Sequence, residues 1–419
     1  MIVGVDFGTT NSVICLLDAD GAAQTVRFAV GAEVFDVFRS VLNFWEEPNG
    51  RPLTLQHAAG PQAIESYLED PLGSRLIMSM KSYLAQRSFT QTRIFGRTHT
   101  LEQLVSLFLR AMLRAAGDRI AWRHAVVGRP VRFVGESADD GLGERRLRES
   151  FAAAGFERLS MAFEPEGAGY RFIRTLREPA TVLVGDFGGG TSDFSLFRFD
   201  PAGAQRVHQL GHDGIGVAGD TFDYRLIEQI ISPRLGKDDT YRIMGKDMPI
   251  PISFYRGLAQ WHRLSLMRAP RVLREIEEVA RTANRPERLG ALLDIIRDEA
   301  GYDLYRAIAG LKAALSCEAE SEFRFRHGGL DVVRRVRRAE FEEWIAADLK
   351  GIANTVDRLL RRTAIGEASI DHVFLTGGTS FVPAVRKLFA DRFGAAKLRG
   401  GGEFVSVAEG LALIGQDRG

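Results

Sequence analysis

The sequence predicts an α/β protein assembled from two copies of one α/β unit. Short apolar runs with strand character alternate with longer stretches of helical periodicity, which favours an α/β fold over an all-α or all-β fold. A glycine-rich segment near the amino terminus recurs in the middle of the chain, and such self-similarity indicates duplication. The length of 419 residues favours two or three domains.

Six short apolar runs are predicted as strands, because most are rich in the β-branched and aromatic residues that suit a pleated sheet. They are Ile2–Asp6, Ser12–Leu17, His124–Val127, Val182–Asp186, Phe194–Phe199 and His372–Thr376.

Helices are predicted between these strands. Thr100 opens a capping box with Gln103, and Gly117 is a stop signal for the same helix. The stretch from about Pro233 to Tyr302 is predicted to be helical rather than β. Two further helices are predicted from apolar stripes at Leu304, Ile308, Leu311 and Leu315 and at Phe341, Ile345, Leu349, Ile352 and Val356.

The repeated segment places an aspartate at the same point in each half of the chain. Residues 4–12 read Gly-Val-Asp-Phe-Gly-Thr-Thr-Asn-Ser, and residues 184–193 read Val-Gly-Asp-Phe-Gly-Gly-Gly-Thr-Ser-Asp. Asp6 and Asp186 therefore occupy equivalent positions. We expect two similar lobes whose hairpins face each other across a cleft.

A turn of glycine and threonine between two strands suits phosphate binding. Its backbone N–H groups are unobstructed, and the hydroxyls of Thr9, Thr10 and Thr191 add donors. An aspartate next to phosphate would be repelled unless a cation lay between them. Magnesium keeps several waters, so we expect Asp6 and Asp186 to accept hydrogen bonds from the water shell of Mg²⁺.

A third glycine-rich element follows the strand that begins at His372. Gly377, Gly378 and Thr379 come after this strand, and Pro383 stands where a helix would begin. A strand, a glycine pair and a helix start form another place where a ligand can approach the backbone closely.

Two other nucleotide signatures are not supported. The chain has no GxxxxGK[ST] phosphate loop. Residues 214–219 match GxGxxG, but the helix that follows leads into Ser232-Pro233 and a polar stretch. No strand with an acidic end follows to hold a ribose, so a dinucleotide site is disfavoured.

Composition argues against nucleic acid and membrane as partners. The net charge is +1, and the arginine-rich run at 332–338 is followed at once by glutamates, as in a solvated mixed-charge face. No apolar run approaches the ~20 residues that span a bilayer. The two cysteines form no CxxC pair, and Met1 leads into Ile-Val-Gly without a signal-peptide pattern. We expect a soluble cytoplasmic protein.

In this order, the three glycine-rich elements resemble the ATPase domain of the seventy-kilodalton heat-shock chaperones (the DnaK type), and through it actin and sugar kinases. The likeness covers essentially the whole chain and is greatest to the short YegD-type homologues. It implies two actin-like (ribonuclease-H-like) lobes with the nucleotide in the cleft between them. Lobe I would be 1–178 with 405–419 returning to it, and lobe II 179–404 with a divergent helical subdomain at about 233–330.

The resemblance also implies roles for individual residues. The implied catalytic residues are Lys81, Glu164, Asp186, Asp193 and Thr191. Asp6 and Asp186 match the family's aspartates that hold the waters of Mg²⁺. The residues implied to contact ATP or ADP are Gly8, Thr9, Thr10, Asn11, Gly188, Gly189, Gly190, Thr191, Gly219, Lys312, Ser316, Gly377, Gly378 and Thr379.

The chain departs from the family pattern in two places. The helix that binds adenine and ribose in the family keeps Lys312 and Ser316 here but carries alanine at the family's glutamate and arginine positions. Losing an arginine stacked on the base should weaken or alter nucleotide affinity. The chain stops soon after Gly415, so we expect it to lack the family's peptide-binding β-sandwich and helical lid.

The leading prediction is a chaperone-like, slow ATPase that binds Mg-ATP and passes lobe closure to a client or co-chaperone protein. Two alternatives on the same fold stay open, an actin-like filament-forming ATPase and a small-molecule kinase. No additional aspartate lies in a recognisable sugar-kinase motif, which disfavours the kinase. The sequence does not identify the partner or the oligomeric state.

Overall fold

The structure is a computed structural model that describes residues 2–18, 21–30, 33–47, 54–117, 124–135, 137–202, 207–260, 263, 266–400 and 406–418. Its strands up to the middle of the chain are β1 Ile2–Phe7, β2 Asn11–Leu17, β3 Ala23–Thr25, β4 Phe28–Val30, β5 Glu33–Phe35, β6 Phe38–Arg39, β7 Val41–Glu47, β8 Thr54–Ala59, β9 Ser74–Met78, β10 Gln91–Ile94, β11 Arg97–Thr100, β12 His124–Arg129 and β13 Arg158–Phe163. The later strands are β14 Ala180–Phe187, β15 Ser192–Phe199, β16 Val207–Ile215, β17 Thr240–Ile243, β18 Lys246–Pro249, β19 Glu320–His327, β20 Leu330–Arg337, β21 His372–Thr376 and β22 Leu398–Gly400.

The helices lie between these strands, as expected for an α/β chain. They are α1 Pro61–Glu69, α2 Leu101–Ala116, α3 Asp140–Ala154, α4 Glu164–Ile173, α5 Gly219–Leu226, α6 Ile252–Ala259, α7 Pro270–Ala280, α8 Pro286–Arg297, α9 Gly301–Cys317, α10 Arg338–Trp344, α11 Ala346–Thr363, α12 Pro383–Phe393 and α13 Ser406–Arg418. None of the described helices is long and apolar enough to span a bilayer.

Two sheets with related connectivity carry the repeated segments. The first has the strand order β13-β12-β1-β2-β3, and the second has the order β16-β15-β14-β21-β22. In each, a central antiparallel hairpin (β1–β2 or β14–β15) pairs through its first strand, in parallel, with a strand from later in the chain. The mixed α/β architecture is therefore confirmed, and each repeat is the hairpin of its own sheet.

Helices α4 and α13 pack against each other and against strands of both sheets. Buried apolar side chains from the helices and from the two sheets form one core cluster, which includes Val126, Val184 and Leu411. Glycine permits the close approach. A Cβ added at Gly410 would lie 1.6 Å from the carbonyl oxygen of Gly167, so any larger residue there would collide with backbone.

Contacts along the chain divide it into two compact units. The first comprises Met1–Glu69, Leu76–Gly219 and Leu349–Gly419, and the second comprises Asp70–Arg75 and Asp220–Asp348. Both large sheets belong to the first unit. In the second unit, α7 packs against α8, and α9 packs against β19. The lobe boundary predicted at 178/179 runs between the two sheets, and it remains a prediction.

The predicted elements are largely confirmed. All six strands form, and Thr100 caps α2 in a capping box with Gln103, with Gly117 at its end. Pro383 is the first residue of α12. The stripe from Phe341 to Val356 belongs to two helices, α10 and α11, rather than one.

One prediction of helix was wrong. The stretch from Pro233 to Tyr302 and the wider 233–330 region contain strands as well as helices, because β17 and β18 form a hairpin and β19 begins at Glu320. Met244 and Gly245 join β17 to β18, and both have positive φ, 48° and 78°. Two consecutive residues of positive φ give the tight turn that matches the twist of paired strands.

Candidate functional site

The turns of the two repeated hairpins face each other within the first unit. The β1–β2 turn follows the pair Phe7 and Ser12, and the β14–β15 turn follows the pair Phe187 and Ser192. A Cβ added at Gly190, in the second turn, would lie 3.4 Å from the hydroxyl oxygen of Thr9, in the first. The two hairpin turns therefore lie close to each other at this point, and the two lobes with a cleft between them stay a prediction.

Each strand that enters a turn carries its aspartate close to the turn. Asp6 and Asp186 are the penultimate residues of β1 and β14, and Asp193 is the cross-strand neighbour of Asp186. One carboxylate oxygen of Asp193 accepts hydrogen bonds from the backbone N–H groups of Val131, at 2.9 Å, and Arg132, at 3.3 Å. The loop after β12 thus fixes the orientation of Asp193.

Lys81 and Glu164 form a buried ion pair beside these aspartates. Lys81 lies in a short 3₁₀ turn, Met80–Tyr83, which follows Ser79 in a left-handed conformation with φ 54°. Glu164 is the first residue of α4 and is held at the end of β13. The Lys81 ammonium donates to Oε1 of Glu164, and neither side chain is more than 8% exposed.

The pKa values of these groups show how closely they interact. Burial and the nearby charge of Glu164 raise the pKa of Asp6 and of Asp193 to about 7. The same causes, with the addition of Asp6 and Asp193, raise the pKa of Asp186 well above its usual range. Burial alone would lower the pKa of Lys81, but attraction to Glu164 and Asp6 outweighs it and raises that pKa.

The cluster therefore carries more acidic groups than cationic ones. Lys81 acts on all three aspartates, and it faces four carboxyl groups, those of Asp6, Glu164, Asp186 and Asp193. A divalent cation would relieve the repulsion, and carboxylate oxygen is the ligand type that Mg²⁺ prefers. Within the described residues, no group of three or more histidine, cysteine or acidic side chains is arranged to ligate one metal directly. A water-mediated Mg²⁺ held by Asp6 and Asp186 fits this donor set and stays a prediction.

The third glycine-rich element packs against the second turn. The Thr379 hydroxyl donates to the carbonyl oxygen of Gly188 at 2.9 Å, and the backbone N–H of Gly219 reaches the same oxygen at 3.4 Å. A Cβ added at Gly377, where φ is 83°, would lie 2.3 Å from the carbonyl oxygen of Phe187. These contacts position the turn of Gly188–Gly190. The hydroxyl proton of Thr379 is used in the hydrogen bond to this turn.

Lys312 and Ser316 belong to the second unit and make their own contacts there. Lys312 pairs with Asp223 at 2.8 Å, and the Ser316 hydroxyl donates to the carbonyl oxygen of Lys312 at 3.0 Å. Burial and the neighbouring Asp223 raise the pKa of Asp220 to about 6. No spacing in the sequence links Asp220 or Asp223 to Lys312.

A further ion cluster in the first unit was not predicted. Asp213 on β16 is 1% exposed. Each of its carboxylate oxygens accepts a hydrogen bond from the guanidinium group of Arg358 on α11, at 2.6 and 2.9 Å. Arg362 and Arg132 approach the same carboxylate at 3.6 and 3.9 Å. The backbone N–H of Arg132 is also one of the two that donate to Asp193. The arginines and Asp213 lie far apart in the sequence, so no local sequence pattern predicts the cluster.

Comparison with known proteins identifies relatives of the chain. Residues 292–416 match the family model described as "Hsp70 protein". The curated relatives include "Chaperone protein DnaK" of Thermosipho africanus, 22% identical over 98% of this chain and 58% of that protein. The chain is therefore similar to the Hsp70 chaperones. The DnaK proteins of Deinococcus proteolyticus and Thermus thermophilus are 23% and 24% identical, over 94% and 98% of this chain and 55% and 60% of their own lengths.

The resemblance to Hsp70 that the motifs suggested is thereby confirmed, at low identity. The chain spans less than two thirds of the length of these DnaK relatives. The match to the Hsp70 family model includes Lys312, Ser316 and Gly377–Thr379 but stops short of both hairpin turns. The carboxylate cluster is therefore an observation independent of that match.

Proposed function

We propose that this chain binds Mg-ATP and hydrolyses it slowly, and that it couples closure of its two lobes to a client or co-chaperone protein. The observation that carries the proposal is the meeting of two glycine-rich turns with Lys81, Glu164 and three aspartates. Relatives named as chaperones support the wider role. The proposed lobes are 1–178 with 405–419 and 179–404, and the proposed location is the cytoplasm.

The turns would receive the phosphates. Backbone N–H groups of Gly8–Asn11 and Gly188–Thr191 would donate to phosphate oxygens, and the Thr9, Thr10 and Thr191 hydroxyls would add donors. Mg²⁺, when bound through its waters to Asp6 and Asp186, supplies charge neutralisation. Lys81 would direct its ammonium at the γ-phosphate, where negative charge spreads over the transferring oxygens.

The carboxylates would orient the attacking water. Its oxygen forms a bond to the γ-phosphorus while the bond to the β–γ bridging oxygen breaks, and ADP leaves with that oxygen. Glu164 and Asp193 would hold the water in line, and Asp193 would accept the proton that it releases. The pKa of about 7 for Asp193 suits a group that exchanges a proton near neutral pH.

Binding of the nucleoside should be weaker than in relatives that keep a stacked arginine. Ala309 and Ala313 stand at the family's glutamate and arginine positions on α9. Lys312 and Ser316 remain as polar groups for the ribose or base. We propose that the phosphates and Mg²⁺ supply most of the affinity, with low discrimination between bases.

Single-turnover hydrolysis of Mg-ATP by the full chain tests this proposal. Asp186→Asn should reduce the rate at least about 100-fold, the range expected when an electrostatic contribution to the transition state is removed. Asp391→Asn is the matched control, because Asp391 is exposed and, among the described residues, forms its ion pair with Lys387 on the same helix. Equal rates in the parent and Asp186→Asn would contradict the assignment, and absence of ATP binding by the parent would refute the proposal.

A further inference from the structure

A cavity of about 760 Å³ lies in the first unit, in a part of the chain that the proposed ATPase does not use. Strand β8 forms its floor, α1 forms one wall, and the carboxy-terminal end of α2 forms the other. Ala29 of β4 closes one side. The volume is in the range of sites that bind small molecules or short peptide segments.

The floor of this groove is the unpaired edge of a sheet. The strand order is β8-β7-β9, so β8 has a sheet neighbour on one side only within the described residues. The backbone N–H of Gly60 donates to the carbonyl oxygen of Val41 at 3.1 Å, and this sets the alternation of the antiparallel ladder. Gln56 and Ala58 therefore bond to β7, while Leu55, His57 and Ala59 turn their backbone groups outward.

The two walls lie on opposite faces of that strand. The Asn43 side chain donates to Ser66 of α1 at 2.9 Å, which places α1 on the face that also carries Trp45 and Gln56. The ring of His57 lies against that of Phe44, 5.9 Å between centroids, on the face that packs against α2. An added strand would alternate its side chains between these walls.

The walls carry opposite charges. Glu65 and Glu69 are exposed, stand one turn apart on α1, and form no ion pair with any described residue. Like charges four residues apart on a helix repel each other, so a cation between them is favourable. Arg114 on the α2 wall likewise has no acidic partner among residues the structure describes. The groove thus favours a basic side chain on one face and an acidic one on the other.

We propose that this groove binds an extended peptide segment that adds to β8 as a further strand, with a lysine or arginine facing α1 and an aspartate or glutamate at the adjacent position facing Arg114. Peptides that add to a sheet edge gain affinity from main-chain hydrogen bonds and specificity from alternate side chains. The six residues of β8 offer an edge about 20 Å long. This peptide binding requires no nucleotide and does not depend on the ATPase proposal.

The test uses a fluorescein-labelled peptide of alternating lysine and glutamate, titrated with the full chain and followed by anisotropy. The peptide should bind, and the same peptide N-methylated at alternate residues, on the edge facing β8, should bind at least tenfold more weakly. On peptide addition, the amides of Leu55, His57 and Ala59 should gain protection from hydrogen exchange. Absence of binding, or equal binding of the N-methylated peptide, would overturn the proposal.

Two variants locate the binding on the groove. The double substitution Glu65→Gln and Glu69→Gln should weaken peptide binding at least fivefold, while Glu275→Gln with Glu278→Gln, an exposed pair on α7, should leave it unchanged. His57→Pro removes an outward N–H without breaking a bond to β7 and should also weaken binding. If the chain instead forms a dimer that His57→Pro abolishes and the peptide does not displace, the edge belongs to a second copy and the peptide proposal is wrong.

Discussion

At the scale of single residues, the central feature is an imbalance of charge. Lys81 is paired with Glu164, which leaves the carboxyl groups of Asp6, Asp186 and Asp193 without full compensation. Burial first, and then the negative charge of Glu164, raise the pKa of each aspartate. A cluster of this kind is suited to a ligand that brings positive charge with its phosphates, as Mg-ATP does.

Asp213 gives a prediction that is independent of any ligand. Burial would raise its pKa, but hydrogen bonds from Arg358 and from the N–H of Gly214 outweigh burial and hold the pKa below its usual range. Asp213→Asn should lower the free energy of unfolding at pH 7 by about 2 kcal/mol, between the values typical of exposed and buried ion pairs. Urea unfolding of both proteins measures the difference.

The pH dependence of that difference has a definite sign. Because the folded-state pKa of Asp213 is lowered, its contribution is fully present above the unfolded pKa of about 3.9 and is lost as pH falls through the lower folded value. The stability gap between the parent and Asp213→Asn should stay constant from pH 7 to about 5 and narrow below about 4. A gap that grew on acidification would rule out this account.

Residues of the candidate site were predictable where local sequence carried them. Asp6, Asp186 and Gly188–Thr191 stand in a repeated motif, so the sequence alone placed the aspartates just before two turns and the glycines within one of them. Lys81 and Glu164 came from family resemblance, and only the fold brings them into contact. The Asp213–Arg358 pair joins a strand and a helix that are distant in sequence, and no spacing rule reaches across that separation.

At the scale of elements, helix α13 combines buried apolar side chains with unusually close backbone contact. Its Gly410 lies against the backbone of Gly167 on α4, and a Cβ added at Gly4 of β1 would lie 2.0 Å from the carbonyl oxygen of Ala408. Small residues on three elements therefore set the distance between α13, α4 and the first sheet. This contact also positions Glu164, the first residue of α4.

Gly410→Ala should be destabilising because its methyl group has no space. Overpacking of this kind costs about 1–3 kcal/mol or more, since backbone must shift. Gly290→Ala on α8 is the control, because a Cβ there meets nothing within 4 Å and alanine is the better helix former. Thermal unfolding should show a lower melting temperature for Gly410→Ala and an equal or higher one for Gly290→Ala. The reverse order would contradict the close packing of α13 on α4.

Elements were predictable where the apolar pattern was strong. The six predicted strands are buried runs, and each forms. The β17–β18 hairpin was not predicted from the sequence, because its strands are mostly exposed. Its turn is also Met244-Gly245 rather than the usual asparagine or aspartate before glycine. Exposed strands leave no apolar alternation for a sequence pattern to detect.

At the scale of the whole molecule, the charge deficit predicts how nucleotide and metal act together on stability. A ligand that binds only the folded state, and whose free concentration is 100 times its Kd, adds about 2.7 kcal/mol to the free energy of unfolding. Mg-ATP should therefore raise the melting temperature, whereas ATP with EDTA should raise it much less, because unshielded phosphates would meet Asp6 and Asp186.

Asp6→Asn combined with Asp186→Asn should raise the melting temperature of the ligand-free chain by relieving repulsion, and should abolish the additional shift that Mg²⁺ provides. Differential scanning fluorimetry of the parent and the double variant, each with ATP alone and with Mg-ATP, separates these effects. Equal shifts with and without Mg²⁺ in the parent would show that the carboxylates do not act through a cation.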